Sequence, residues 1–296
     1  MSLGKHINSY ISKKRRRKIA QKEFSLSIHT VRALAKKDLY STLSRWGIYI
    51  AAFISFIASS FILKNFLDSI KENDILISAN PLNYPLFIST IIISFYLAIL
   101  SAISISREKD QGTLEVLFYG PVSCPTYILG KYIKDMLTYL VVVVFFLAYF
   151  WGVSFLTNLG FSYGLVKIIF VSIFSVSCIV SFGLFISSLT GKMRNSIIWL
   201  IGILILFLVI QVGQTILFSI PEEKMSPVLT YLGNTLSVVS RGVNWISPFS
   251  YLTRGIDAVS LDNAFLYWLN ILYSIIYSAI LLVLSIFTLK RKGVKG

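Results

Sequence analysis

VVVVFFLAYFWGVSF, Val141 to Phe155, carries no charge and no alternation of apolar with polar residues. A strand of a transmembrane barrel needs that alternation, so the stretch reads as a helix crossing lipid. WLIGILILFLVIQVG, Trp199 to Gly213, has the same character. A bilayer is crossed by about 20 mostly apolar residues. Working outward from these two runs gives six qualifying segments: 46–63, 85–106, 132–157, 164–189, 196–218 and 266–289. Composition agrees, since 55% of the 296 residues are hydrophobic and only 14% charged. A mean hydropathy of +0.75 leaves more apolar surface than a water-facing globule can hide. The expected fold is an all-α integral membrane protein: a basic segment over 1–45, six transmembrane helices within 46–289, and a basic tail over 290–296.

The net charge of +15 would suggest nucleic acid in a soluble protein, so its placement matters. In a six-span topology 22 of the 28 Lys and Arg fall on one side, while the acids divide almost evenly. By the positive-inside rule both termini are cytoplasmic, and the expected location of this multi-pass chain is a cell membrane, the cytoplasmic membrane of a prokaryote. KKRRRK, Lys13 to Lys18, then serves as a topogenic patch drawn to anionic headgroups, and no nucleic-acid partner is expected. The first 45 residues are too polar for a cleaved signal peptide, so the first span stays as an anchor. Within them Ile28, Val31, Ala35, Leu39, Leu43 and Trp46 recur at three or four, with Arg32, Lys36, Lys37 and Arg45 on other faces. That spacing predicts an amphipathic helix along the cytoplasmic surface.

Cys124 and Cys178 lie at different depths, which argues against a disulfide, and His6 and His29 lack the Cys partners of a metal site. No Asp, Glu, Arg or Lys falls well inside a span, Lys167 being near an end. Ion-driven pumping and intramembrane hydrolysis are therefore disfavoured, since both need ionisable groups at helix depth. Ser94, Ala98, Ser101 and Ser104 in the second span, and Ser172, Ser175, Ser177, Ser181 and Ser188 in the fourth, favour close helix packing over substrate binding. Gln211 and Gln214 are sharper, because an amide in hydrocarbon faces either another helix or a water-lined path.

No phosphate-cradling G-x-x-x-x-G-K-[ST] occurs; its nearest fragments are LGKY at 129–132 and TGKM at 190–193. The chain is expected to bind no cofactor, and any ATP-driven work must come from a separate subunit. The one dense patch of charge between spans is SREKDQGTLEVLFYGPVSCPTYILGK, Ser106 to Lys131. Leu114, Leu117 and Phe118 share a helical face with Glu115 off it, Gly120 suits a left-handed C-terminal cap, and Pro121 forbids continuation. Ser123 can cap the following helix, with Pro125 in its first turn. The segment reads as a short amphipathic helix at the cytoplasmic membrane surface, with one apolar and one charged face.

REKDQGTLEVLFYGPVS, followed by LGK, resembles the signature of ABC transporter permeases of the ABC-2 type. The match rests on Glu108, Gly112, Thr113, Leu114, Glu115, Leu117, Pro121 and Val122. WISPFSYLTRGIDAVS, within an outer segment from about 219 to 265, is similar to the gliding-motility and copper-site-maturation subgroups. There, short helices re-enter the membrane before the last span.

The resemblance implies a half-transporter that pairs with a second copy or a paralogous permease and docks an ATP-binding-cassette ATPase, which would carry ATP and Mg. The loop 107–131 would be the coupling segment. Arg107, Glu108, Asp110, Thr113 and Glu115 would contact or position it, Leu114 and Leu117 would seat it, and Gly112, Gly120 and Pro121 would set its shape. In the short loop TGKMRN, Lys192 and Arg194 read as anchors rather than a second contact. A translocation path between the two copies would draw on the second and fifth spans, with Ser94, Ser101, Gln211 and Gln214 as candidate residues. Transport would run outward. The alternatives are a membrane scaffold that moves nothing and a passive channel that needs no ATPase.

Overall fold

A computed structural model describes residues 29–73, 82–119, 122–157, 162–218 and 227–292, and no strand occurs among them. A first helix, α1, covers 29–43. It is followed by α2 (Trp46–Asn73), α3 (Asn83–Asp110), α4 (Thr113–Phe118), α5 (Cys124–Thr157) and α6 (Tyr163–Leu189). Then come α7 (Met193–Phe218), α8 (Pro227–Ile246), α9 (Ser250–Ser260) and α10 (Ala264–Lys292). Six of these, α2, α3, α5, α6, α7 and α10, are long and apolar enough to cross a membrane. Ile28, the KKRRRK run, Gly120 and Pro121 lie outside the described residues.

In α1 Ala35 is buried, Leu39 and Leu43 are half-buried, and Arg32, Lys36 and Lys37 are exposed. Trp46 departs from the expected apolar stripe: α1 stops at 43 and Trp46, 81% exposed, opens α2. The break has a local cause. Ser44 Oγ bonds back to the Tyr40 carbonyl at 2.8 Å and the Arg45 N–H tightens onto Thr42 O at 3.2 Å, so the last turn closes on itself.

The bundle is organised around α6, whose most apolar stretch is 78% enclosed by protein, against 17% for α7. Small residues make that position available to it. Ser172, Ser175, Ser181, Ser187 and Ser188 are all buried, and the hydroxyls of Ser172, Ser175, Ser187 and Ser188 hydrogen-bond to neighbours. Tyr139 on α5 donates to Ser172 Oγ at 2.7 Å, Ser175 donates to the Tyr251 carbonyl of α9 at 3.2 Å, and Ser188 meets Thr288 of α10 at 2.5 Å. In lipid, where apolar burial supplies no force between helices, such bonds and close packing hold the bundle, each bond contributing about 0.6 kcal/mol. The closest approach is between α3 and α6 at Gly183. A Cβ there would stand 2.8 Å from the Ala98 carbonyl oxygen and 2.8 Å from Ser101 Cβ. Gly183→Ala must push two backbones apart, and we expect a loss of about 1–3 kcal/mol. It should appear as a lower thermal midpoint of the purified protein, while Gly152→Ala, with open space around it, leaves the midpoint in place.

Two amphipathic helices, α8 and α9, close the end of the bundle opposite α4. Gly255 lets α9 settle between α6 and α10, its position facing Val171 and Asn270. Asn270 Nδ2 donates to the same Tyr251 carbonyl at 3.1 Å. Arg254 reaches back to the Asn244 carbonyl near the end of α8 at 2.5 Å and lies 4.6 Å from the Trp245 ring. Burial of Arg254 pulls its pKa below the ordinary guanidinium value.

Candidate functional site

The charged segment between the second and third spans becomes a rigid corner. After α3, the Gln111 N–H bonds to Arg107 O at 3.0 Å and the Gly112 N–H to Lys109 O at 3.1 Å. Gly112 then adopts φ +69°, the left-handed region that favours glycine, and redirects the chain into α4. Thr113 Oγ1 donates to Glu108 O at 3.2 Å across this turn. A left-handed glycine thus precedes α4; Gly120, expected as a left-handed cap behind it, lies outside the described residues.

On α4, Leu114 is 4% exposed, and Leu117 and Phe118 are half-buried against the bundle. Phe118 meets Tyr127 edge-on, with centroids 5.7 Å apart. Glu115, Val116 and Tyr119 point away, the last 91% exposed, and Asp110 and Thr113 are exposed beside them. The apolar face is inward and the polar face outward, with Val116 and Tyr119 as apolar features of the outer surface. Behind α4, Ser123 Oγ sits 2.7 Å from Thr126 Oγ1 and accepts weakly from the Thr126 N–H at 3.4 Å, the pattern of a helix N-cap.

Beneath α4 lies an ion network in which three separate elements meet. Lys131 on α5, 5% exposed, donates to Asp38 Oδ2 of α1 at 2.6 Å and also to Glu108 Oε1 of α3. Tyr127 donates its hydroxyl to the other Glu108 oxygen at 2.6 Å. One ammonium therefore clamps α1 and α3 onto α5, and each carboxylate retains some water contact, with side chains 22% and 26% exposed. One turn further, Lys134 Nζ touches Asp135 Oδ1 at 2.5 Å without aligning as a hydrogen bond, and Asp135 Oδ2 accepts from Ser101 at 2.8 Å. A fully enclosed Asp135 is tolerable only because of these neighbours.

The far end of α3 is also tied to the centre. Lys109 Nζ donates to Ser188 O at 2.9 Å, next to the C-terminus of α6, where a cation is favoured. Ser187 Oγ accepts the N–H groups of Ile105 and Ser106 at 3.0 and 2.9 Å, and Ser196 of α7 donates to Ala102 O at 2.6 Å. Any displacement of α4 and the end of α3 is thereby felt by α5, α6 and α7 together.

Ionised groups were not expected well inside a span; Lys131, Lys134 and Asp135 lie in the early turns of α5, one of the six candidate spans, and are buried there by protein. The helix starts at Cys124 rather than near 132, so residues taken for its margin are packed against α1 and α3. Their signal in the sequence was KYIKD, a Lys-x-x-Lys-Asp spacing that puts both ammonium groups on one face.

The remaining candidates are dispersed. Ser94 and Ser101 are fully buried inside the chain; Ser94 bonds to Thr90 O at 2.5 Å and Ser101 to Asp135. Gln211, half-buried on α7, donates from Nε2 to Asn244 Oδ1 of α8 at 3.1 Å and to Ser250 Oγ of α9 at 3.0 Å. Gln214 is half-buried one turn on. Lys192 and Arg194 flank the start of α7, and both are exposed. Arg107 is half-buried at the end of α3.

The family model described as ABC-2 family transporter protein matches residues 12–294. No curated protein matches the chain.

Proposed function

Since the chain belongs to the ABC-2 transporter family, whose model spans nearly its whole length, we propose that it is the permease subunit of an exporter driven by a separate ATPase docking on α4. Permeases of this family work with ATP-binding-cassette ATPases. The observation that carries the proposal is the geometry of α4. A helix of six residues, seated by Leu114 and entered through a left-handed glycine, offers Glu115, Val116 and Tyr119 outward from a corner braced by the Asp38–Lys131–Glu108 clamp. Such a corner can receive a push and pass it on as a rigid movement rather than absorb it.

In this proposal α4 and both termini face the cytoplasm, and the ATPase binds ATP and Mg. A second copy or a paralogous permease completes the path, and movement is outward. The broad unpartnered face of α7, where Ile205, Leu206, Leu208, Val209 and Val212 are all exposed, fits a surface shared by lipid and that second subunit. Affinity purification from native membranes tests the ATPase partner. Recovery of a subunit carrying G-x-x-x-x-G-K-[ST] supports it; a complex without such a subunit, together with ATP-independent flux through the reconstituted chain, points to a passive channel.

Gln211 has a structural duty in addition to its proposed place near the outer exit, since it pins α8 and α9 over the end of α7. We expect Gln211→Leu to cost about 1–2 kcal/mol, because Asn244 and Ser250 lose a buried donor while keeping their own 3.3 Å bond. Transport unchanged in rate and selectivity after replacing both Gln211 and Gln214 by Leu removes them from the path.

A further inference from the structure

A cavity of about 380 Å³ opens between α1, α3, α4 and α5 beside the ion clamp. Lys37, Arg45, Arg107, Lys131 and Lys134 line it, against the two carboxylates of Asp38 and Glu108. Lys131 is engaged by both of those carboxylates and Lys134 by Asp135. Lys37, Arg45 and Arg107 hold no ion pair among the described residues, so three cations face the cavity against the one carboxylate charge that Lys131 leaves unbalanced, and its wall stays net positive. Other parts of the wall are apolar: Leu34, Leu100, Ile103 and Leu117.

The depth of the cavity narrows the ligand. It lies where the apolar run of α3 gives way to Arg107, and the exposed Trp46 and Tyr49 at the start of α2 are adjacent in sequence to Arg45. Aromatic side chains of that kind sit at headgroup level. Guanidinium groups recognise phosphate through paired N–H donors, and a basic pocket among membrane helices is suited to an anionic headgroup. A small soluble anion would have no use for four aliphatic walls. We propose that this cavity binds a phospholipid with an anionic headgroup, its phosphate against Lys37, Arg45 and Arg107 and the first part of an acyl chain against Leu34, Leu100 and Ile103. The lipid would join α1 to α3 next to the Asp38–Lys131–Glu108 clamp. The proposal goes beyond the permease assignment and does not depend on transport, because what is measured is lipid retention.

The test uses the full chain, purified and stripped of lipid in detergent, with dioleoylphosphatidylglycerol, dioleoylphosphatidylcholine or inorganic phosphate added. The phosphatidylglycerol adduct should survive in native mass spectrometry and raise the thermal midpoint, and phosphatidylcholine should do neither. Arg45→Gln combined with Arg107→Gln should weaken phosphatidylglycerol retention at least tenfold, whereas Lys290→Gln with Arg291→Gln, which removes the same charge elsewhere, should keep it. Should the first pair fail to fold, Lys37→Gln on the exposed side of α1 should still reduce retention several-fold. Equal retention of the two lipids, or retention indifferent to Arg45, Arg107 and Lys37, overturns the site. An equal midpoint shift from inorganic phosphate at matched concentration assigns the cations to a soluble anion and overturns the lipid.

Discussion

Lys131→Met should lower the stability of the purified protein by about 2–4 kcal/mol, one of the largest effects of any single substitution in the bundle. The change leaves Asp38 and Glu108 facing each other's element without a cation, and Glu108 keeps only the Tyr127 hydroxyl. Breaking a buried ion pair by removing one partner costs more than the pair itself contributes, since a charge is left behind in a poor solvent. The figure sits toward the lower part of the range because both carboxylates are about a quarter exposed and can recruit water. Adding Glu108→Gln to Lys131→Met removes one orphaned charge and should recover a good part of the loss in a thermal or chemical denaturation experiment. A double variant no more stable than Lys131→Met would show that the clamp does not act as an electrostatic unit. Transport should fall along with stability, because the same ammonium couples α1, α3 and α5.

Glu115→Arg should do the reverse. Its side chain is exposed and contributes nothing to the core, so stability should stay within about 0.5 kcal/mol of the original. Transport-coupled ATP hydrolysis should drop at least tenfold, equivalent to about 1.4 kcal/mol of lost interaction with the ATPase. Membrane insertion, expression and the thermal midpoint serve as controls. Normal coupling in this variant removes α4 as the point of contact. The two substitutions separate seat from surface: one unsettles the corner, the other spoils only what the corner presents.

How far the sequence could anticipate this arrangement depends on the range of the forces involved. Six spans were legible because length and hydropathy are local properties, and the face of α4 was legible because Leu114, Leu117 and Phe118 lie within two turns. Small residues along α6 announced close packing, although not that Gly183 would meet Ala98. The clamp was out of reach. Lys131 finds Asp38 and Glu108 at separations of 93 and 23 residues, and no periodicity within one helix reports a partner on another. The burial of Asp135 was out of reach for a related reason, since an acid at the start of an apolar run resembles a solvated margin until α3 is seen to cover it with Ser101. For Gln211 the sequence left open a helix or a water-lined path, and the two acceptors that it meets are on α8 and α9, both distant in sequence.

In the proposed function α4 is where an external ATPase meets this membrane protein. Photo-crosslinking in native membranes addresses it directly, with a reactive amino acid placed one position at a time on α4 and on α8. Positions 116 and 119 should crosslink to a subunit that hydrolyses ATP, and position 114, turned into the bundle, should not. Position 246, exposed at the opposite end, should also give no such product. Crosslinks to that subunit from 246 but none from 116 or 119 would contradict the account.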